Sequence, residues 1–280
     1  MLKKYGTFGL IMMIGMVMLG IALLSGCGGR RGGKKGGEKG GEKAKQSYTS
    51  KGDEGTITGK VTLDGTPPAF DPIDMSQDAV CAGSADKSAD NVRVKDGKLK
   101  HVFVYVKGPG VDGFSFPIGG PVTLDQKGCR YEPHVFGLQA GQELSITNSD
   151  NTTHNVHPSP AKNDDFNKSQ PPNSAPIEHK FNNAEVMIPV KCNQHPWMKA
   201  NIGVMGHPCF AVTAEDGSYT IKGVPPGSYT LVFWHEVFGE QTQNVTVAAN
   251  GTVTQDLTYK ASAGAKPGVF LQIAPEMILP

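Results

Sequence analysis

The sequence predicts an all-β protein. Three observations carry this. No long stretch repeats its apolar residues with the 3.6-residue period of a helix. Short β-like runs recur instead, among them Thr56-Ile57-Thr58-Gly59-Lys60-Val61, Val102-Phe103-Val104-Tyr105-Val106 and Leu144-Ser145-Ile146. Each is bounded by Gly, Pro, Asn or Asp, and 36 Gly and 20 Pro in 280 residues supply many turns. Strands at this spacing point to sandwich architecture.

From the N-terminus, Lys3 and Lys4 precede an almost wholly apolar run, Phe8 to Leu24. Such a run is short for a bilayer span, which needs about 20 residues, and an uncleaved membrane helix is the alternative to export. Leu23-Leu24-Ser25-Gly26-Cys27 resembles a bacterial lipobox. That resemblance implies a signal peptide over 1–26 and a lipid on Cys27 that reaches the membrane. The location it implies is a cell-envelope lipoprotein, periplasm-facing or on the outer membrane.

Residues 27–52 are rich in Gly, Lys and Arg and cannot bury enough apolar surface to offset ordering, so a flexible tether is expected. Residues 28–52 carry +6, from eight basic residues and two Glu. Residues 53–280 carry 17 basic against 24 acidic residues, or −7. A basic stem near anionic lipid and an acidic head facing a basic partner would suit this division, as would a merely soluble spacer. No basic patch is interleaved with aromatics, so no nucleic-acid partner is expected.

The chemistry concentrates in Cys192-Asn193-Gln194-His195-Pro196-Trp197-Met198, preceded by His154-Asn155-Val156. A thiolate, two imidazoles and a thioether form the donor set of a mononuclear copper site. Cys, His and Met at i, i+3 and i+6 allow one tight loop to present three donors. Zinc also takes Cys and His, but a Met donor disfavours it. A disulfide at Cys192 with Met198 in the core is the non-metal alternative.

These motifs resemble those of the cupredoxins, with the short C-x-x-H-x-x-M spacing most similar to amicyanin. Glu143 to Asp150 followed by His154 is similar to the family's strand and loop carrying the first histidine. The resemblance implies a Greek-key β-sandwich over 53–212. It also implies one type 1 copper on His154, Cys192, His195 and Met198, with Asn155 tying the two ligand loops together. It places the His195 ring toward the surface as an electron exit, beside a docking patch of Pro196 and Trp197.

Of five cysteines, Cys81, Cys129 and Cys209 remain once Cys27 is acylated and Cys192 binds metal. Export permits a disulfide. Cys81 with Cys129 is the favoured pair because they flank a predicted strand, although three pairings exist. Cys209 would be a buried thiol.

Glu215-Asp216-Gly217-Ser218-Tyr219 through Val224-Pro225-Pro226-Gly227-Ser228-Tyr229 resembles a carboxypeptidase regulatory-like module. That implies a smaller transthyretin-like sandwich over 213–260, with 54–64 as a candidate first strand. The cupredoxin-like part would then be inserted in it or continuous with it. Residues 261–280 read as a tail. Residues 158–176 are polar and Pro-rich, expected to pack over the metal or hold a short helix.

His134 could approach the metal as a ligand or neighbour. His157 lies at i+3 from His154 on the opposite strand face and is not expected to ligate. His207 and His235 read as surface or turn residues. No nucleophile–base set or phosphate loop stands out, so no enzyme is expected. The leading expectation is an electron carrier serving redox partner proteins of the cell envelope. The alternatives are a cell-surface binding or adhesion module with structural or no copper, and a copper store or delivery protein.

Overall fold

The computed structural model describes residues 45–261. The signal peptide, Cys27, residues 27–44 of the tether and residues 262–280 of the tail lie outside the described residues. Among the described residues no helix is long and apolar enough to cross a membrane. The architecture is all-β, with two short helices, Ala79–Ala82 and Pro109–Asp112.

The strands form two sandwiches. In the first, one sheet orders Ile177–Lys180, Glu143–Asn148, Val122–Gln126 and Tyr131–Glu132. Facing it, the second sheet orders Lys168–Gln170, His154–Pro158, Glu185–Lys191, Lys199–Met205 and Val135–Gln139. Alternation along the strands sends Leu144 and Ile146, Ile188 and Val190, and Ala200, Ile202 and Val204 into one core. Cys192 and Met198 close the end of that same core.

The second sandwich is not a small appendage over 213–260. Gly55–Asp64 pairs with Ser218–Val224, Thr252–Thr254 and Leu257–Lys260. Phe103–Lys107 pairs with Phe210–Val212 and Gly227–His235, and Gly227–His235 with Gly239–Val247. The expected cupredoxin-like span 53–212 therefore contains strands of the other sandwich at both ends. The first sandwich, from Val122 to Met205, is an insertion between strands Phe103–Lys107 and Phe210–Val212 of the second. The reason lies in the core: Ile57, Val61, Val104 and Val106 bury against Tyr219, Leu231, Phe233 and Val245.

The sheet holding Phe103–Lys107 and Gly227–His235 is covered on both faces. Val104, Val106, Leu231 and Phe233 face their own core, while Phe103, Tyr105, Val232 and Trp234 face the first sandwich. Met205 and Val135 meet them there. Two glycines make this seam close. Gly137 and Gly203 are register partners on adjacent parallel strands. A Cβ at Gly203 would overlap the Phe103 ring, and one at Gly137 would overlap the rings of Phe210 and Phe103. Gly203→Ala is therefore expected to destabilise the protein by about 1–3 kcal/mol, the usual cost of overpacking, with a lowered denaturation midpoint as the measurement.

The start of the described chain also departs from expectation. Gln46–Ser47 pairs with Phe114–Ser115, and Tyr48 stacks on Phe116 with ring centroids 4.4 Å apart. The Tyr48 hydroxyl donates to Glu54 at 2.6 Å. The last residues of the expected tether are thus fastened to the second sandwich by an aromatic anchor that a composition argument overlooks.

Candidate metal centre

The strand His154–Pro158 opens with His154, whose ring is fully buried. The following loop, Cys192 to Met198, is closed by two backbone bonds: Cys192 N–H to the Met198 carbonyl at 3.1 Å, and Met198 N–H to the His195 carbonyl at 2.9 Å. Pro196 sits exposed at its tip. This closure brings donors together: the Nδ1 atoms of His154 and His195 are 2.8 Å apart, and Cys192 Sγ lies 3.7 Å from His195 Nδ1. One ligand atom from each of His154, Cys192 and His195 lies within 4.8 Å of the others, and all three residues are buried. Met198 is buried in the same core cluster as Cys192.

The remote nitrogens of both imidazoles are occupied. His154 Nε2 donates to Asp150 Oδ2 at 2.9 Å, and His195 Nε2 donates to Asp78 Oδ2 at 3.3 Å. Carboxylates at these positions fix ring orientation and point both Nδ1 atoms at one shared spot. Asp150 is itself held by the N–H groups of Gly128 and Cys129, each at 2.7 Å. Asp78 comes from a distant segment and was absent from the sequence reading. No local spacing signals it, since it precedes His195 by 117 residues. Asp150 carried a weak local signal, four residues before His154.

Asn155 joins the two ligand segments. Its Oδ1 accepts from the N–H groups of Asn193 at 2.7 Å and Gln194 at 3.3 Å, and from the Cys192 thiol at 3.3 Å. Its amide nitrogen donates to Asn167 Oδ1 at 2.7 Å, and its carbonyl accepts from the buried Tyr131 hydroxyl. Asn167 adjoins Lys168–Gln170, which pairs with His154–Val156 as an edge strand. The 158–176 excursion forms this strand and no helix.

The electrostatics suit a metal. Burial pushes the Cys192 thiol up, but the His154 imidazole and the N–H groups around Asn155, His195 and Gln194 outweigh it and bring the thiol to about 6. Burial pushes His154 down, but the Asp150 carboxylate and Cys192 lift it to about 9. The two shifts have a common contact, so the Cys192 thiol gives up its proton more readily than an ordinary cysteine, as a metal donor must. A soft thiolate with two imidazoles fits copper or zinc, and a thioether at hand fits copper better.

Other residues named from the sequence stand elsewhere. Cys81 and Cys129 are joined in a disulfide, and Cys209 is a free, fully buried thiol whose burial raises it to about 12. Cys81 lies in a cluster with Asp78 and His195, and Cys129 in one with Asp150 and His154, so the disulfide borders both imidazoles. Its sulfurs are bonded to each other and are not donors.

His134 lies outside this cluster. Its Nδ1 donates to the Lys199 carbonyl and its Nε2 to Glu236, both at 2.9 Å, which leaves no lone pair for a ligand role. His157 bonds Asn193 Oδ1 at 3.1 Å outside the cluster. His207 and His235 lie at turns but are buried rather than surface residues, each accepting a backbone N–H through Nδ1.

The His195 ring is also buried rather than turned to the surface, only 4% exposed. Trp197 packs on it with centroids 5.1 Å apart and donates through Nε1 to the Cys129 carbonyl at 3.1 Å. The expected exit face is covered.

Two β-sandwiches with a buried thiolate–imidazole cluster at one end define the class of fold and site. Residues 193–260 match the carboxypeptidase regulatory-like domain. The match begins in the ligand loop, ahead of the second sandwich's strand Phe210–Val212. No curated protein matches the chain. Similar solved structures include the Cu-containing nitrite reductase of Thermus scotoductus, at 20% identity and TM-score 0.28 over 30% of this chain and 22% of that one. This chain thus spans about a fifth of the reductase. A purple cupredoxin from Nitrosopumilus maritimus is similar at 19% identity and TM-score 0.26, over 31% of this chain and 99% of that one. A Cu(I) form of an amicyanin variant is similar at 20% identity and TM-score 0.27, over 30% and 82%.

Proposed function

We propose that this chain binds one copper ion and carries single electrons in the cell envelope, tethered through a lipid on Cys27. The observation that carries the reading is the convergence of one donor atom each from His154, Cys192 and His195 within 4.8 Å, all three residues buried. Bound copper would supply one-electron chemistry between its two common oxidation states. The residues do the rest. Cys192 supplies the thiolate, and His154 and His195 supply Nδ1 with their tautomers set by Asp150 and Asp78. Asn155 holds the two ligand segments in register, and burial excludes water. Met198, buried in the same core, would act as a weak donor. Partners would be redox proteins of the envelope, and no catalytic step is assigned.

The test is a copper titration followed by potentiometry on the full chain. One equivalent bound and a reversible one-electron wave support the reading. Zinc retained against excess copper, or an irreversible response, contradicts it. Met198→Leu is expected to leave copper bound and coloured while raising the midpoint potential, because a donor that favours Cu(II) is lost.

A further inference from the structure

The segment between the strands Gly55–Asp64 and Val94–Lys95 lies across the metal centre. Within it, Met75 and Cys81 form a buried cluster with Cys129, packed against Ile73 and Trp197. The short helix Ala79–Ala82 places Asp78 at its N-cap. Asp78 Oδ1 accepts from the N–H groups of Val80 at 2.8 Å and Cys81 at 3.2 Å. Asp78 Oδ2 accepts from the Thr152 hydroxyl at 2.7 Å and from His195 Nε2 at 3.3 Å. Both oxygens are committed, so the carboxylate cannot swing away without uncapping the helix.

The far end of the segment is fastened too. Arg130, itself buried, pairs with Asp90 and donates to the Asp86 carbonyl at 3.0 Å. Ser84 Oγ donates to the Gly128 carbonyl at 3.3 Å. The Cys81–Cys129 crosslink joins the segment to the loop whose N–H groups hold Asp150. Each imidazole of the site is thus touched by a carboxylate whose position depends on this clamp. A carboxylate on each ring, a capped helix and a covalent crosslink are thus joined through one segment, which a packing role alone does not require.

We propose that residues 66–93 are a crosslinked cover that seals the His195 edge, and that Asp78 is a positioning residue which binds His195 Nε2 and biases the centre toward its oxidised state. The inference rests on the copper reading above for its redox part, and on geometry alone for the seal. A carboxylate on the remote nitrogen makes the imidazole a stronger donor, which favours Cu(II) over Cu(I). With the ring edge sealed, a redox partner would not touch His195 directly. Trp197, tilted against that ring at 50° and partly exposed, is the group that continues from it to the surface.

The seal is tested on the metal-free full chain with diethyl pyrocarbonate, which carbethoxylates accessible imidazole nitrogens, read by peptide mass. His157, partly exposed, is the internal reference. His195 should react at least about tenfold more slowly than His157, and Cys81→Ala/Cys129→Ala should remove most of that protection by letting the cover open locally. Should the double variant fail to fold, Asp78→Asn serves instead, since Asn still caps the helix but turns a donor toward His195 Nε2–H. Equal reaction of His195 and His157 in the wild type, or unchanged protection in the variants, overturns the seal.

The bias is tested on the copper-loaded chain. Asp78→Asn should weaken Cu(II) relative to Cu(I) by about tenfold, which is about 59 mV higher for one electron. An unchanged potential overturns the positioning role. A wild type with no thiolate charge-transfer band defeats the copper reading itself, and the carbethoxylation result then still decides the seal.

Discussion

Replacing Cys192 with Ser is expected to leave a folded protein that no longer forms a coloured Cu(II) complex. The substitution is nearly isosteric, and the Ser hydroxyl can still donate to Asn155 Oδ1, which accepts from the thiol at 3.3 Å in the wild type. Metal-free stability should change by less than about 1 kcal/mol, the net worth of one such hydrogen bond. Copper is affected far more. An alcohol at neutral pH is a neutral, hard donor, whereas the Cys192 thiol is already drawn to about 6 by the His154 imidazole and surrounding N–H groups. Losing an outer-shell partner alone costs about 10–100-fold in metal affinity, so losing the thiolate should cost more than about a hundredfold. The measurement pairs isothermal copper titration with chemical denaturation of the metal-free protein. Retained tight binding would show that Cys192 is not a ligand. A collapse of stability would show that the residue is chiefly a packing element.

The second large effect lies at the seam. Glu236, in the turn after Gly227–His235, accepts from His134 Nε2 at 2.9 Å and from Asn201 Nδ2 at 3.0 Å. His134 and Asn201 belong to the first sandwich, so one carboxylate ties the two together. Burial alone would push His134 down, but the Glu236 carboxylate, helped by Asp90, outweighs it and holds the ring above its usual value. Glu236→Ala leaves that imidazole buried without its counter-ion. Removing one partner of a buried pair costs about 3–5 kcal/mol, and urea denaturation should show a loss of this order at pH 6. Loss below about 1 kcal/mol would mean the pair is not formed as described.

The pH dependence of that loss follows from linkage. A raised folded pKa gives stability that is fully present below the unfolded value, about 6.5, and that fades as pH rises through the folded value. The gap between wild type and Glu236→Ala should therefore narrow in alkali. His101 and His235 act in the opposite sense. Burial first, then the charge of His134, depresses both to about 3. Their contribution is complete above about 6.5 and is lost as pH falls toward their folded values. Wild-type stability should thus decline on both sides of neutrality, with the acid limb present in Glu236→Ala as well.

What the sequence revealed and concealed has physical causes. The clustering of Cys192 with His195 was legible because they lie on one tight turn, where spacing is geometry. His154 was legible because a polar loop followed by His-Asn-Val marks a strand start. The carboxylate on the remote nitrogen of His195 was not, since Asp78 reaches it only through a capped helix and a disulfide far away in the chain. His134 could be listed but not placed, because its fate is decided by Glu236, 102 residues later.

The domain boundary failed for a related reason. Val102-Phe103-Val104-Tyr105-Val106 reads simply as a strand, yet its unbroken apolar run records burial on both faces. Phe103 and Tyr105 face one sandwich and Val104 and Val106 the other. The glycines that admit Phe103, Gly137 and Gly203, sit in separate strands and meet only through register. Pairwise strand order is a long-range property, and local alternation carries no record of it.

The claim that His154, Cys192 and His195 together hold one copper is tested most directly by the absorption spectrum of the purified full chain with one equivalent of Cu(II). The account predicts an intense visible thiolate-to-copper charge-transfer band that saturates at one equivalent and disappears on reduction. A pale complex showing only weak ligand-field absorption, with Cys192 still free to alkylation, would contradict it.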